Sequence, residues 1–168
     1  MIAHKGEKAT EEWATAFVKN FARRPKGGDR DQVMAVAACQ CDIAIVNTYY
    51  LGQMVNSKDE KQKQAASQVA VFWPNQQDRG THINISGIAV TKAAKNKENA
   101  LKLIEFLLSP VAQEWYAKTN NEYPVIANAK PSELLQSWGK FKSDAINLNE
   151  LGRHNTQAVQ IMDRARWR

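Results

Sequence analysis

Long apolar runs are missing from this chain. No stretch approaches the ~20 apolar residues that a membrane-crossing helix needs. The amino terminus, Met1-Ile-Ala-His-Lys-Gly-Glu-Lys, has no apolar centre and does not read as a secretory signal. An export address would have to come from upstream sequence. Cysteine is scarce, with two residues, Cys39 and Cys41. Their spacing lacks the two-residue spacer of common zinc ligand pairs, and the histidines His4, His82 and His154 are scattered. Both facts argue against a structural zinc site. A disulfide closing so short a ring would be strained, so the pair reads as small buried or half-buried residues at a turn. Catalytic constellations are missing too. There is no nucleophile–base pair, no pair of carboxylates in a motif and no Gly-rich phosphate loop with its Lys. The chain does not read as an enzyme. It also has no repeat and no low-complexity segment.

What is present suits about one ordinary domain with a real core: 168 residues, 43% hydrophobic and 24% charged. The net charge of +6 comes from 23 basic residues spread along the chain. The densest groups are Arg23-Arg24-Pro25-Lys26 and Arg164-Ala165-Arg166-Trp167-Arg168. No aromatic-interleaved signature accompanies them, so a solvated basic face is the simpler reading. A basic nucleic-acid-binding domain is kept as an alternative.

In chain order, the spacing predicts an amphipathic helix from Thr10, with Trp13, Phe17 and Phe21 recurring every four residues. A second helix runs from Asp29, a plausible N-cap, to about Ala38. Ile43-Ala-Ile-Val46, Val69-Ala-Val-Phe-Trp73 and Ile83 to Val90 read as strands or extended segments. Thr48 to Val55 reads as helix. Asn56 to Gln64 is a loop or an exposed helix. Helices are expected from Asn96, from Ser109-Pro110 with Pro at the first position, from Pro131, at Leu148 to Leu151, and from Arg153 to about Arg164. Alternation of helix and strand in the first half predicts an α/β protein.

Asp42-Ile-Ala-Ile-Val-Asn-Thr-Tyr-Tyr50 draws these signals together. Asn47 or Thr48 would cap the following helix. Tyr49 and Tyr50 then fall in its first turn, at the carboxyl end of a strand, where ligands bind in open α/β sheets. Two phenols beside a helix N-terminus suit a hard cation together with an anion. Adjacent tyrosines also serve as packing residues with wet hydroxyls, and both readings stay open on spacing alone. Asp29, Arg30 and Asp31 either line a cleft or form a capped, ion-paired surface. Trp13, Trp73, Trp115, Trp138 and Trp167 read as core or surface packing residues.

Gly27-Gly-Asp-Arg-Asp-Gln32, Asp42 to Tyr50, Gly80-Thr-His-Ile-Asn-Ile-Ser-Gly87 and Glu122-Tyr-Pro-Val125 occur in this order, with the helix pair from Asn99 to Trp115 between the last two. Together they resemble the periplasmic ferric-iron-binding proteins of bacterial iron ABC transporters. The resemblance covers almost the whole chain. It implies an α/β, bilobal periplasmic-binding-protein type II fold, incomplete here with its first half missing. It implies a lobe formed by residues 1–79 and 131–168, and a hinge and return segment over 80–130. Tyr49 and Tyr50 map onto the family's Fe³⁺ ligands. Asn47 maps onto the residue that helps hold a synergistic anion, phosphate or carbonate. The implied partner is an inner-membrane ABC permease, the implied compartment the periplasm, and nucleic acid is not a partner. A relative for another oxyanion or small molecule is the alternative. His82 would be structural or near the hinge.

The chain departs from that family in three ways. Ligands of the first half are absent, so the expectation is a truncated fragment without full iron affinity. Helices around Leu101–Leu108 and Val111–Tyr116 lack their packing partner, which predicts self-association. Cys39, Cys41 and Arg166 stand where the family usually carries glycine. A side chain at positive φ in either turn would be strained by ~1–2 kcal/mol.

Overall fold

The computed structural model describes residues 1–167. Arg168, the end of the C-terminal basic group, lies outside the described residues. Among them the helices are α1 (Ile2–Lys19), α2 (Asp29–Ala37), α3 (Thr48–Val55), α4 (Glu60–Ser67), α5 (Lys97–Leu107), α6 (Pro110–Thr119), α7 (Glu133–Ser137), α8 (Asn149–Arg153) and α9 (Asn155–Arg164). None of these is long and apolar enough to cross a membrane. The chain divides into two units, Met1–Gly27 with Asp144–Arg168, and Gly28–Ser143.

In the first unit α1 packs on α9. Ala14, Ile161 and Ala165 are buried between them, with Ile2, Val18 and Trp167 against the cluster. The four-residue aromatic spacing becomes a stack, with Trp13 on Phe17 at 5.0 Å and Trp167 5.2 Å from Phe17. The helix does not start at Thr10 as the local cap signal suggests. Helical residues run from Ile2, and the non-helical Gly6, at φ 78° and ψ 171°, divides them into a short first turn and a longer helix to Lys19. Thr10 is inside the helix, and its hydroxyl donates to the Gly6 carbonyl at 2.7 Å. The short stretch before Gly6 packs Ile2 on the α1–α9 core, and the helix that contains Thr10 starts directly after Gly6. At the surface Arg164 donates to both oxygens of Glu11, at 2.8 and 2.7 Å. That bond holds the Glu11 carboxyl below its ordinary range and raises the Arg164 guanidinium.

In the second unit α2, α3 and α4 enclose Val33, Leu51, Met54, Ala65 and Ala66. Val46, Val69, Val71 and Trp138 pack against this core. Asn56 to Gln64, open in sequence between loop and helix, resolves into a loop to Asp59 and the start of α4 at Glu60, with the Lys61 N–H accepted by the Asp59 carboxylate at 2.9 Å. The second helix is capped by Gly28, not by Asp29, and the Asp31 carboxylate accepts the Gly28 N–H at 2.7 Å. α6 begins at Pro110 as expected, capped by Ser109, and the helix expected from Pro131 begins at Glu133, capped by Ser132.

The strand expectations need correction. Among the described residues Ile43–Val46, Val69–Trp73 and Ile83–Val90 form no ladder, and the bridge present is an isolated parallel one between Thr81 and Ser143. Alternation survives without pairing. Val46, Val69 and Val71 turn to the core, while Ile43, Ile45 and Phe72 are 77%, 70% and 79% exposed. Period-two patterning is a property of the segment itself, whereas a ladder requires a neighbouring edge to take its N–H and C=O groups.

An aromatic cluster closes the unit. Trp73 stacks on Phe141 at 4.2 Å, Tyr123 meets Phe141 at 5.3 Å, and the Trp73 indole donates to the Trp138 carbonyl at 2.9 Å. Gly80, at φ 96°, lies so close to Lys142 and Ser143 that a Cβ would come within 2.7 Å of their backbone.

Candidate functional site

The site is built where α2 and α3 begin. Gly27, at φ 81°, turns the chain into Gly28 and α2. Asp29, the first residue of α2, directs its carboxylate at the head of α3, where Oδ1 accepts the backbone N–H of Asn47 at 2.8 Å. The same oxygen faces the Asn47 side-chain amide at 3.5 Å. Asn47 is the N-cap of α3 with extended backbone, yet its side chain makes no capping bond. Its Oδ1 instead accepts from the Asn84 amide at 3.2 Å. The expected N-cap position is correct, and the expected side-chain cap is replaced by a link from Asp29 through Asn47 to Asn84.

Tyr49 and Tyr50 occupy the first turn of α3, half-buried, with ring centroids 4.6 Å apart and planes tilted by 47°. Arg30 lies 5.8 Å over the Tyr50 ring and donates to the Gln53 amide oxygen. Desolvation raises the Tyr49 phenol above its ordinary value, and the charge and hydrogen bond of Tyr50, then Asp29 and Glu122, add to the rise. With no cation present the Tyr49 phenol thus keeps its proton. A multivalent cation in contact would reverse the balance by favouring the phenolate. Two neighbouring phenol oxygens can chelate one hard cation.

Tyr49, Tyr50 and Asn47 are brought together as the sequence suggests. His82 is exposed. Cys39 is a free thiol at φ 56° and is exposed, not buried, while Cys41 is a free, half-buried thiol. Among the described residues no group of three or more His, Cys, Asp or Glu side chains is placed to hold a metal. The sequence offered Asp29 as a cleft-lining or capping residue without its bond to Asn47, and it did not single out Asn84. An acidic residue directly after Gly-Gly was the visible signal for the first, and nothing local marked Asn84.

Two phenols thus meet at the N-terminus of α3, and similarity to known proteins gives the class of protein. The chain belongs to the bacterial extracellular solute-binding protein family, whose model matches residues 8–143. It is 45% identical over 168 residues to iron uptake protein A1 of Synechocystis sp., an alignment covering 100% of this chain and 47% of that protein. It is 29% identical to the Fe(3+)-binding periplasmic protein of Serratia marcescens, over 98% of this chain and 47% of that one. Among solved structures it resembles the Trichodesmium protein IdiA (FutA) in complex with iron and citrate ligands, with a TM-score of 0.96 and 44% identity. That likeness covers 99% of this chain and 53% of the other. The fold is therefore that of the type II periplasmic binding proteins. The chain spans about half the length of the curated relatives it matches.

Proposed function

We propose that this chain serves a ferric-iron-binding component of an ABC iron importer, without enzymatic activity, and carries two of the metal ligands. The observation that carries the reading is the Tyr49–Tyr50 pair, 4.6 Å apart at the head of α3, in a chain 45% identical along its length to an iron uptake protein. Fe³⁺ is hard and highly charged and favours anionic oxygen over thiolate. The two phenolates bind it. Phosphate or carbonate fills part of the remaining coordination sphere beside Asn47, where the N-terminus of α3 favours negative charge. Residues 1–79 and 131–168 would belong to one lobe, and 80–130 to a hinge and return segment. The working compartment is the periplasm, and the partner is the inner-membrane permease of the importer.

Two tyrosines and an anion leave the sphere of Fe³⁺ incomplete. Binding by this chain alone is accordingly weak and is reversed by citrate. A titration with Fe³⁺ should develop a visible phenolate-to-iron charge-transfer band, and Tyr49→Phe with Tyr50→Phe should abolish it. A band unchanged in the double variant would show that other phenols bind the iron, and no band in the parent would favour a different ligand, another oxyanion or small molecule. A band saturating at one equivalent and resistant to citrate would overturn the weak-binding part. Each phenol must lose a proton to bind, and Tyr49 holds its proton more firmly than an ordinary tyrosine. The band should therefore fade as pH falls, and iron addition in unbuffered solution should acidify it.

A further inference from the structure

Three extended segments of the unit Gly28–Ser143 have strand sequences and no strand partners. Among the described residues, no backbone N–H or C=O of residues 43–46, 69–73 or 83–90 is bonded to another backbone group. Loops also leave their backbone to water, but they favour glycine, proline and short polar residues. In the first two segments β-branched and aromatic residues dominate. Val46, Val69 and Val71 press on the core enclosed by α2, α3 and α4. Ile43, Ile45 and Phe72 face outward and are exposed, as are Ile85 and Ile88 of the third segment. Residues 43–46 and 69–73 thus lie against one core without bonding to each other. Asn84 brings the third segment to the end of the first through its 3.2 Å bond to Asn47. A half-packed strand with a free row of N–H and C=O groups is a template for an added strand.

Length indicates what fills the template. The fold matches the Trichodesmium structure with a TM-score of 0.96 over 99% of this chain, and that match takes up 53% of the other. The same segments therefore sit in a protein about twice as long, whose remaining polypeptide is at hand to pair with them. We propose that residues 43–46 and 69–73, with 83–90 beside them, are open sheet edges that take β-strands from a second polypeptide region, the counterpart of the part of these relatives that this chain does not match. The added strands bond to the free backbone rows, and their apolar side chains pair with Ile43, Ile45 and Phe72 across the new ladder. The pairing needs neither iron nor the tyrosine pair, so its failure leaves the ligand reading untouched.

The test mixes the full chain, without iron, with a recombinant polypeptide made of the part of Synechocystis iron uptake protein A1 outside its alignment to this chain. Sedimentation gives the mass, amide I infrared absorption the strand content, and amide hydrogen exchange the segments involved. A one-to-one complex is expected, with added strand signal and exchange slowed by about tenfold or more at residues 43–46 and 69–73. Ala70 is exposed, and its N–H bonds to no backbone group in the chain alone. Ala70→Pro should therefore leave the chain's own melt in place and weaken the complex by about tenfold. Should that variant fail to fold, Phe72→Lys keeps the backbone donor, charges the exposed face and should weaken the complex in the same direction. No complex overturns the proposal, and so does a complex without slowed exchange at these segments. Equal binding by the parent and both variants overturns it as well. Exchange that slows with the concentration of the chain alone, and does not respond to the added polypeptide, gives the edges to a second copy and overturns it too.

Discussion

Two residues sit where their own side chains are unwelcome. Cys39 has φ 56° and Arg166 has φ 58°. Each follows a helix, and the bonding around each is that of a Schellman end. Gln40 N–H donates to Ala35 O at 2.9 Å after α2, and Trp167 N–H to Met162 O at 3.0 Å after α9. Glycine is the usual occupant there because a Cβ is disfavoured in the left-handed region. Cys39→Gly and Arg166→Gly should each raise stability by ~1 kcal/mol, read as a shift of the urea midpoint at unchanged slope. Destabilisation by either change would show that the side chain itself makes a compensating contact. A third residue responds to pH. Burial pushes the Tyr123 phenol up to about 12, and its hydroxyl donates to the Leu135 carbonyl at 3.3 Å. In the unfolded chain a tyrosine ionises near pH ~10. Between these values the unfolded state gives up a proton that the folded state keeps. The stabilisation is thus complete below pH ~10 and is lost as pH rises through about 12. Tyr123→Phe should flatten that alkaline loss relative to the parent, measured as urea midpoints on both sides of pH ~10. The strain at Cys39 and Arg166 was foreseeable as a condition on φ. The sign of φ itself came from how the helix ends pack.

Helices were legible in the sequence because their signals are local. α3 spans Thr48–Val55 as predicted, and α6 begins at Pro110 behind a Ser109 side chain that accepts the Ala112 N–H at 3.4 Å. What the sequence did not show is how α3 is held. A Cβ built on Gly52 would lie 2.5 Å from Asn121 Cγ. Asn121 is buried, sits at φ 60°, and its Oδ1 accepts from Asn56 at 3.4 Å. This close approach seats the helix that carries the tyrosine pair. Gly52→Ala improves intrinsic helix propensity but would drive a methyl group into Asn121. The clash should win, with a net loss of ~1–3 kcal/mol in thermal or urea unfolding. A gain in stability would mean that Asn121 can move aside without penalty. The strand expectations fared differently, since their apolar alternation is real but the pairing was never in the segment.

Across the whole molecule, apolar surface is left without cover. Leu101, Leu103, Phe106 and Leu108 of α5 and its end, with Val111 and Trp115 of α6, are all exposed, and α5 buries none of its residues. The two helices pack on each other, yet their apolar stripe faces outward. A contiguous patch of this kind marks an interaction surface or an association liability. The chain in isolation should self-associate with rising concentration in sedimentation velocity, and Phe106→Glu with Trp115→Glu should shift it toward monomer. A single monomeric species with a cooperative melt for the parent would contradict this expectation.

The sequence by itself determined most of the helices, the order of the motifs and the adjacency of Tyr49 and Tyr50, because each depends on residues within a turn or two of one another. Tertiary structure alone decided the rest. Ile2 packs on the α1–α9 core, Asp29 and Asn84 meet at Asn47 across 18 and 37 residues of chain, and the β-patterned segments remain unpaired. These outcomes depend on which distant groups arrive as partners, and a hydrogen-bond donor or an apolar face is neutral about its partner until packing supplies one. The tyrosine pair was written in the sequence, and the carboxylate that meets Asn47 beside it was placed by the fold.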